Sequence, residues 1–394
     1  MLLIAAPGQG AQAPGFLSAW LELPGFADRL AAWSDLAGCD LIRCGTIASA
    51  EEIRDTAIAQ PLLVAAALAT AGELFGGIGQ AGRLAGAAAG HSVGELAAGA
   101  IAGVIGPEDA LRLVRVRGQA MGRAAAAEAT GMTAVLGGDE AAVLAAIDKH
   151  GLTPANVNGA GQIVAAGTLS QLAEFAADPP ARARLIPLSV AGAFHTRHMA
   201  PAVDELRAAA SAMTVSDPYL ALLSDRDGTV VRSGKDWIER IVTQVSAPVR
   251  WDKCMQSMTG LGVSAIIELP PAGTLTGLAR RALPGVQLAA LKTPDSLRAA
   301  RSLIAEHGQA DADSDAPEWR LLVAPLAGVF RAVSAGGPGV VVTSGAELGH
   351  VDMRGGSHLV TPPFPATIIE WLVEDGDPVS AGQPLVRLQP EGSE

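Results

Sequence analysis

The hydrophobic positions of this chain form short apolar runs that alternate with longer stretches of helical spacing. Apolar runs at residues 1–6, 85–89 and 264–269 each stop at a turn rich in Gly or Pro, as buried strands do. Helical spacing predicts helices at residues 27–36, 62–74, 96–104, 107–127, 201–213 and 237–244. Strands that alternate with helices predict an α/β core with a mostly parallel sheet.

The pattern changes between residues 130 and 190. Strands are predicted at 132–136, 152–157, 162–166 and 184–190, and helices at 140–150 and 169–177. Their order, βαββαβ, is typical of a ferredoxin-like unit. We therefore expect a ferredoxin-like subdomain at residues 126–190, inserted into a hydrolase-like α/β core formed by residues 1–125 and 191–300.

The C-terminal part of the chain has a different character. A stretch rich in Asp, Ala and Ser predicts a linker over residues 301–317. After it, short β-like runs are separated by turns rich in Gly, Pro and Asp; they lie at 321–324, 340–342, 367–373 and 384–388. A small all-β module is therefore predicted at residues 318–394.

Composition and charge limit the partners of the protein. Hydrophobic residues make up 49% of the 394 positions, which is enough for a large buried core, and the formal net charge is −12. An acidic chain repels nucleic acid, and no clustered basic stripe offsets this repulsion. The longest apolar stretches are too short or too interrupted to span a bilayer. We therefore expect a cytoplasmic protein that binds neither nucleic acid nor membrane.

The cysteines and the N-terminus agree with that expectation. Cys39, Cys44 and Cys254 have no spacing typical of a metal site, and we interpret them as small buried side chains in a reducing compartment. No metal site is predicted. The N-terminus lacks the charged segment and the long apolar segment of a signal peptide, so it is predicted to be the first buried strand.

The most informative motif is Gly-His-Ser-Val-Gly at residues 90–94, between a predicted strand and a predicted helix. In this context G-x-S-x-G forms a nucleophile elbow, a sharp turn that exposes the hydroxyl of Ser92 at a helix N-terminus. The Val93 N–H and the helix dipole would then face an oxyanion formed on attack. The alternative is a Gly-rich turn in which the serine is incidental.

A serine hydroxyl needs a base to become a nucleophile, and the chain has seven histidines. His91 is adjacent to Ser92 and would point elsewhere, and four others lie at a helix end, in the linker or in the tail. His195 and His198 remain. His195 lies in a loop before a predicted helix, where its side chain can enter a cleft, so it is the preferred base.

Five ordered blocks of sequence resemble the malonyl-CoA:acyl carrier protein transacylase family over roughly residues 3–300. The blocks are PGQGAQ at 7–12, GHSVGE at 90–95, RVRGQAM at 115–121, residues 158–167, and GAFH at 192–195. The βαββαβ segment lies where this family carries its small subdomain. The resemblance implies a serine acyltransferase.

The resemblance also implies roles for individual residues. Ser92 would be the nucleophile and His195 the general base and acid, while Gln9 and the Val93 amide would form the oxyanion hole. No carboxylate follows in the order of ordinary α/β-hydrolases. A backbone carbonyl near residues 248–251 would orient the imidazole instead.

Arg117 is the residue that favours malonyl as the acyl group. A buried substrate carboxylate needs a partner, and a guanidinium binds it through two charge-assisted hydrogen bonds. The alternative is an exposed helix arginine. Val93 and Phe194 match the malonyl-type pattern of the family, but Gly192 stands where malonyl-type members often have His, so methylmalonyl transfer stays open. Two further residues are possible supporting residues: Asn158, which belongs to one of the matching blocks, and Arg250, in the segment 248–251, at a position where the family often has Gln.

The partners implied by the resemblance are malonyl-CoA and an acyl carrier protein. The carrier would donate the thiol of its phosphopantetheine arm, and no cofactor is needed. Candidate contacts for an acidic carrier are arginines, because the chain itself is acidic; they are Arg182, Arg184, Arg280 and Arg281. The alternative is that these arginines are ordinary solvated side chains.

Residues 318–390 resemble the biotinyl/lipoyl carrier domains, which present a lysine on a hairpin between two halves. The equivalent stretch, VDMRGG at 351–356, has no lysine, and the last lysine of the chain is Lys292. Without an amine neither biotin nor lipoate can be attached. We therefore expect a degenerate module.

Two other functions remain open from the sequence. A thioesterase or serine esterase could share the elbow, and it would need no Arg117. A non-catalytic scaffold could use its C-terminal module to recruit a partner, although Ser92, His195, Gln9 and Arg117 argue against it.

Overall fold

The computed structural model describes residues 1–308, 320–333, 337–353 and 355–390. The chain divides into two compact units, Met1–Ala310 and Asp311–Glu394. The strands of the first unit are β1 (Leu2–Ala6), β2 (Ala87–Gly90), β3 (Thr130–Gly137), β4 (Thr153–Gly159), β5 (Gln162–Thr168), β6 (Ala183–Pro187), β7 (Ala221–Leu223), β8 (Val230–Val231), β9 (Ala265–Glu268) and β10 (Gln287–Ala290). Its helices are α1 (Phe26–Ala37), α2 (Leu41–Thr46), α3 (Thr56–Phe75), α4 (Ala81–Leu84), α5 (Gly94–Ile101), α6 (Pro107–Ala127), α7 (Glu140–Lys149), α8 (Leu169–Ala177), α9 (Ala200–Ser211), α10 (Gly234–Gln244), α11 (Trp251–Gly260), α12 (Thr274–Ala282) and α13 (Ser296–His307).

The core of the first unit is a six-stranded sheet in the order β10-β9-β1-β2-β7-β8. Its strands run parallel except for β8, which pairs antiparallel with β7. Alternate residues of β1 enter two different hydrophobic clusters: Leu2, Ile4 and Ala6 one, Leu3 and Ala5 the other. Both faces of the sheet are therefore covered, as a parallel sheet requires. The predicted α/β core is confirmed.

The helix α3 begins earlier than the sequence suggests. The sequence predicts a helix only after Pro61, because proline removes one backbone hydrogen bond from a helix interior. The Asp55 side chain accepts the Ala57 N–H and caps the helix at Thr56, and Pro61 lies inside it. By length and composition α3 could cross a membrane, but 89% of its apolar window is buried in the protein. It is a core helix.

A second, four-stranded sheet is formed by the segment between α6 and α9. Its order is β4-β5-β3-β6, and all its strand pairs are antiparallel. The elements occur along the chain as β3, α7, β4, β5, α8 and β6. Helices α7 and α8 contribute Ile147 and Phe175 to a hydrophobic cluster with the strand residues Val135 and Ile163.

The first unit extends further than the sequence suggests. The predicted linker begins at residue 301, but residues up to His307 lie in α13. This helix buries Leu297, Ala300 and Leu303 against the main cluster, and this burial explains why the helix belongs to the core. The remainder of the predicted linker, 309–317, lies outside the described residues.

The second unit is all-β in its described residues. Its strands are β11 (Arg320–Val323), β12 (Gly328–Ala332), β13 (Val341–Val342), β14 (Gly349–Met353), β15 (Gly356–Val360), β16 (Ala366–Trp371), β17 (Pro378–Val379) and β18 (Pro384–Pro390). They form two four-stranded sheets, β11-β18-β16-β13 and β15-β14-β12-β17. The sequence pattern missed β12, β14, β15 and β17, whose apolar positions are few.

Glu268 anchors the N-terminus of α12. Its buried carboxylate accepts hydrogen bonds from the backbone N–H groups of Gly273, Leu275 and Thr276 at 2.8–2.9 Å, and from the Thr276 hydroxyl at 2.8 Å. An anion in this position satisfies N–H groups that have no partner within the helix and favours the helix dipole.

We predict that Glu268→Ala lowers the free energy of unfolding by at least about 3 kcal/mol, because buried donors lose their charged acceptor. Denaturant unfolding followed by circular dichroism measures the change. The exposed Glu239, paired with Arg207, provides the control, because Glu239→Ala should cost less than about 1 kcal/mol. Equal effects of the two substitutions would contradict the role of Glu268.

Candidate active site

The turn between β2 and α5 places Ser92 in a left-handed backbone conformation, with φ of 53°. Two glycines make this turn possible. A Cβ at Gly90 would lie 2.1 Å from the Gly94 carbonyl carbon, and a Cβ at Gly94 would lie 2.2 Å from the Ala6 oxygen. Neither position can hold a larger residue without movement of the backbone. The G-x-S-x-G motif therefore forms a strained strand–turn–helix corner, as a nucleophile elbow requires.

The structure brings Ser92 and His195 together. Ser92 Oγ lies 2.7 Å from His195 Nε2, and the Gln244 carbonyl oxygen lies 2.9 Å from His195 Nδ1. His195 also has a positive φ, 61°, and its N–H donates to the Val245 oxygen. With the proton on Nδ1 directed at a carbonyl, Nε2 is the lone-pair nitrogen that faces the hydroxyl.

The carbonyl that orients the imidazole is not the one expected near residues 248–251. The Val249 oxygen instead accepts the Val157 N–H at 2.8 Å, which ties this segment to β4. The Arg250 side chain forms a bidentate pair with Asp252, at 2.9 and 2.7 Å. The Arg250 side chain is therefore paired with Asp252 rather than with Ser92 or His195, while its backbone N–H donates to the Asp225 carbonyl oxygen, and its supporting role stays a prediction.

Arg117 is fully buried behind Ser92. Its Nη2 donates to Ser92 Oγ at 3.2 Å and to Gln244 Oε1 at 2.7 Å, and its Nη1 donates to Gln60 Oε1 at 2.7 Å. Its Nε has no hydrogen-bond partner among the described residues. Burial lowers the pKa of the guanidinium to about 10, so it stays charged at neutral pH. The alternative of an exposed helix arginine is wrong.

Gln9 and Ser92 line one cavity of about 440 Å³, together with His195 and Phe194. Gln9 follows β1 in a loop that lies against the elbow, since a Cβ at Gly8 would meet the His91 oxygen at 2.8 Å. Val93 precedes the first residue of α5, where backbone N–H groups have no acceptor within the helix.

Within the described ranges, no group of three or more His, Cys, Asp or Glu side chains could hold a metal ion.

Asn158 lines the same cavity without touching the serine–histidine pair. Its Oδ1 lies 2.9 Å from His91 Nε2, and the His91 ring packs on Trp251 with ring centroids 5.8 Å apart. Asn158 therefore fixes the histidine of the elbow. His198, the other candidate base, pairs with Glu128 at 2.7 Å.

Comparison with known proteins agrees with this geometry. The family described as "Acyl transferase domain" matches residues 6–298. The malonyl CoA-acyl carrier protein transacylase of Mycobacterium bovis is 54% identical over 297 residues, which cover 75% of this chain and 98% of that protein. The protein of the same name from Escherichia coli K12 is 32% identical over 305 residues and covers 75% and 97%.

The chain belongs to the malonyl-CoA:acyl carrier protein transacylase family.

Solved structures of this family match about three quarters of the chain. The crystal structure of MCAT from Mycobacterium tuberculosis has a TM-score of 0.73 and 52% identity, and covers 76% of this chain and 99% of that one. A structure described as a type II PKS acyl-carrier protein in complex with its malonyl-transacylase has a TM-score of 0.69 and 29% identity. It covers 76% of this chain and 99% of that one.

Sequence reasoning missed four residues that surround the transacylase dyad. Gln60 and Gln244 hold Arg117, while Glu95 and Asp225 contact Gln244 and the backbone of Ser92. Glu95 belongs to the GHSVGE block and could have been noticed there. Gln244 lies 152 positions and Asp225 133 positions from Ser92, so no local pattern indicates either contact.

The environment of His195 keeps the imidazole neutral. Burial and then the charge of Arg117 lower its pKa to about 3. An ordinary histidine has a pKa of about 6.5 and would lose its lone pair by protonation below that pH. Because the folded-state pKa is lower, His195 remains available as a base through the mildly acidic range.

We predict that kcat/KM for acyl transfer from a CoA thioester is level down to about pH 5, without a decline near pH 6.5. Initial rates measured from about pH 5 to 8 provide the profile. His198→Gln is the matched control and should leave the profile unchanged. A half-maximal rate near pH 6.5 would contradict the neutral, buried state of His195.

Proposed function

We propose that this chain transfers a malonyl group from malonyl-CoA to the phosphopantetheine thiol of an acyl carrier protein, through a malonyl ester on Ser92. The observation that supports the chemistry is the 2.7 Å contact between Ser92 Oγ and His195 Nε2, with His195 Nδ1 directed at the Gln244 carbonyl. The transacylases that match three quarters of the chain support the substrates.

The reaction proceeds in two half-reactions that use the same groups. Ser92 Oγ attacks the thioester carbonyl while His195 Nε2 removes its proton, and the tetrahedral intermediate expels the coenzyme A thiolate, which takes that proton. The carrier thiol then gives its proton to His195 and attacks the ester. Ser92 leaves with the proton, and the free enzyme is restored.

The oxyanion of each tetrahedral intermediate would be held by backbone N–H groups of Val93 and of the Gln9 loop. Gln9 lines the cavity that also contains Ser92, and Val93 follows Ser92 directly as the N-cap residue of α5. The helix dipole adds favourable charge at that point. The loss of one such donor costs about 3 kcal/mol, or roughly a hundredfold in rate.

Arg117 would bind the malonyl carboxylate after the acyl group enters. Its Nη2 already touches Ser92 Oγ, and its neighbouring Nε is a buried donor without a partner among the described residues. In a malonyl ester on Oγ, one methylene separates the ester carbonyl from the carboxylate, so the carboxylate can reach this edge of the guanidinium. A buried donor without an acceptor is costly, and a carboxylate removes that cost.

The carrier protein would approach over exposed arginines, because acyl carrier proteins are acidic. Arg182 and Arg184 lie at the start of β6, and Arg280 and Arg281 lie at the end of α12, whose residues Thr274, Leu275 and Leu278 line the active-site cavity. The relative solved in complex with an acyl-carrier protein supports such a partner.

We place the reaction in the cytoplasm, and the free thiols of the chain support a reducing compartment.

The finer architecture belongs to the same proposal. The order β4-β5-β3-β6, with α7 and α8 between the strands, supports a ferredoxin-like subdomain at residues 126–190, inserted in a hydrolase-like core. The paired sheets of the second unit support a biotinyl/lipoyl-like module. Its β14–β15 hairpin pairs Met353 with Gly356, and the sequence has no lysine there, so we expect no biotin, lipoate or other cofactor.

We predict that a pulse of radiolabelled malonyl-CoA leaves one malonyl group on the protein and that Ser92→Ala abolishes it. Intact-mass measurement detects the adduct, and holo carrier protein should discharge it. Thr243→Ala, near the site but outside the hydroxyl–imidazole pair, is the control and should retain the adduct. Free malonate released without carrier thiol would instead favour a thioesterase, and an absent adduct would favour a scaffold.

We predict that Arg117→Ala lowers kcat/KM for malonyl-CoA by at least about a hundredfold, because a charge-assisted pair is lost. Transfer from acetyl-CoA, which has no carboxylate, should fall much less. Parallel rates with malonyl-, methylmalonyl- and acetyl-CoA measure the preference. An unchanged ratio of malonyl to acetyl transfer would contradict the carboxylate contact, and faster transfer from methylmalonyl-CoA would identify that acyl group instead.

A further inference from the structure

Two carboxyl groups that the proposed mechanism does not use lie directly beneath the elbow. Glu95, in the first turn of α5, is 1% exposed, and Asp225, after β7, is fully buried. The Asp225 N–H donates to Glu95 Oε1 at 3.2 Å. Asp225 Oδ2 accepts the Ser92 N–H at 2.7 Å. The pair therefore contacts the residue whose left-handed backbone forms the elbow.

The amide of Gln244 joins this acid pair to Arg117. Its Nε2 donates to Glu95 Oε2, and lies 3.1 and 3.2 Å from the two oxygens of Asp225. Its Oε1 accepts from Arg117 Nη2 at 2.7 Å. The amide cannot be reversed, because its NH₂ would then face a guanidinium donor and its oxygen would face carboxylates. The Gln244 amide thus bridges the Arg117 guanidinium and the two carboxyl groups through hydrogen bonds.

The charges of this cluster do not balance if both acids are ionised. Arg117 carries one positive charge, and two carboxylates would leave a net negative charge in a site without solvent. Burial raises the pKa of Glu95 well above its ordinary value, and the charge of Asp225 raises it further. Burial also raises the pKa of Asp225, whereas a hydrogen bond from Glu95, the charge of His91 and hydrogen bonds from Ser92 and Gln244 lower it.

We propose that Glu95 and Asp225 share one proton, held on Glu95 and donated to the Asp225 carboxylate, and that this pair positions Ser92 and Arg117 for acyl transfer. Asp225 is the ionised member because its carboxylate accepts the Ser92 N–H at 2.7 Å, a shorter bond than the 3.2 Å contact by which Glu95 accepts the Asp225 N–H. Its single negative charge balances Arg117 through the Gln244 amide. The cluster is then neutral before substrate binds.

The shared proton has a consequence for the acyl donor, which rests on the proposed function of Arg117. A neutral cluster allows Arg117 to attract a malonyl carboxylate, whereas a cluster with two ionised acids would oppose it. Two neighbouring groups leave this balance unchanged: burial raises the pKa of the Cys254 thiol well above its ordinary value, so it stays neutral, and His195 is neutral as described above. The charge of His91, which bonds to Asn158, lowers the pKa of Asp225 and so favours Asp225 as the ionised member of the pair.

Infrared spectroscopy of the intact protein tests the proton directly. The difference spectrum between wild type and Glu95→Gln at neutral pH should contain one band of a protonated carboxyl group. The surface variant Glu239→Gln should leave that band in place. A difference spectrum with only ionised carboxylate bands would overturn the proposal, since Glu95 would then carry a charge.

Kinetics of two amide variants test the positioning role. Glu95→Gln keeps the charge of the pair, so kcat should stay within about tenfold of the wild-type value. Asp225→Asn removes the ionised acceptor of the Ser92 N–H, so kcat should fall on the order of a hundredfold with malonyl-CoA and with acetyl-CoA alike. Equal losses in both variants, or a larger loss in Glu95→Gln, would overturn the proposal. Circular dichroism confirms folding, and if Asp225→Asn does not fold, the infrared band decides.

These measurements separate this inference from the proposed function. If the chain formed no malonyl-serine, the infrared band would still report on the shared proton. If the malonyl-serine formed but the band were absent, transfer would stand and the acid pair would not.

Discussion

The structure depends on one constraint, the left-handed backbone at Ser92. A residue with a side chain adopts φ of 53° only when its surroundings hold it there. The surroundings do so from three sides: Gly90 and Gly94 leave no room for side chains, and Asp225 accepts the Ser92 N–H. The hydroxyl is consequently presented to His195 and to the first turn of α5. Each proposed step of acyl transfer uses that presentation.

Beneath the elbow, the site is a closed network of charged and amide groups. Arg117, Gln244, Glu95 and Asp225 are all buried, and each finds a partner within the network. Such networks are costly when a member is unpaired and rigid when all are satisfied. Among the four described side chains of this network, Arg117 leaves its Nε without a partner, and under the proposed function the substrate carboxylate would supply the acceptor. The rigidity of this network and the unpaired Arg117 Nε together explain how the site could select its acyl group.

Local patterns carried most of what could be predicted from the sequence. The elbow could be predicted because a strand, the five residues 90–94 and a helix follow one another directly. The helix α6 begins at Pro107, as the proline and the acidic residues of its first turn indicate. The loop position of His195 and then the family blocks indicate this residue as the base, although it lies 103 positions from Ser92. The expectation at residues 248–251 was wrong because the Gln244 carbonyl, at the end of α10, contacts His195 Nδ1, whereas the Val249 carbonyl accepts the Val157 N–H of β4. Glu95 and Asp225 meet through tertiary contacts that no periodicity encodes.

The central claim is that one buried corner holds nucleophile, base and carboxylate partner in a single geometry. The most direct measurement is a crystal structure of the protein after exposure to malonyl-CoA in the absence of carrier protein. That structure should contain a malonyl ester on Ser92 Oγ, with its carbonyl oxygen at the Val93 N–H and its carboxylate on Arg117 Nε and Nη2. An acyl group on another side chain, or an ester whose carboxylate points to solvent while Arg117 stays unchanged, would contradict it.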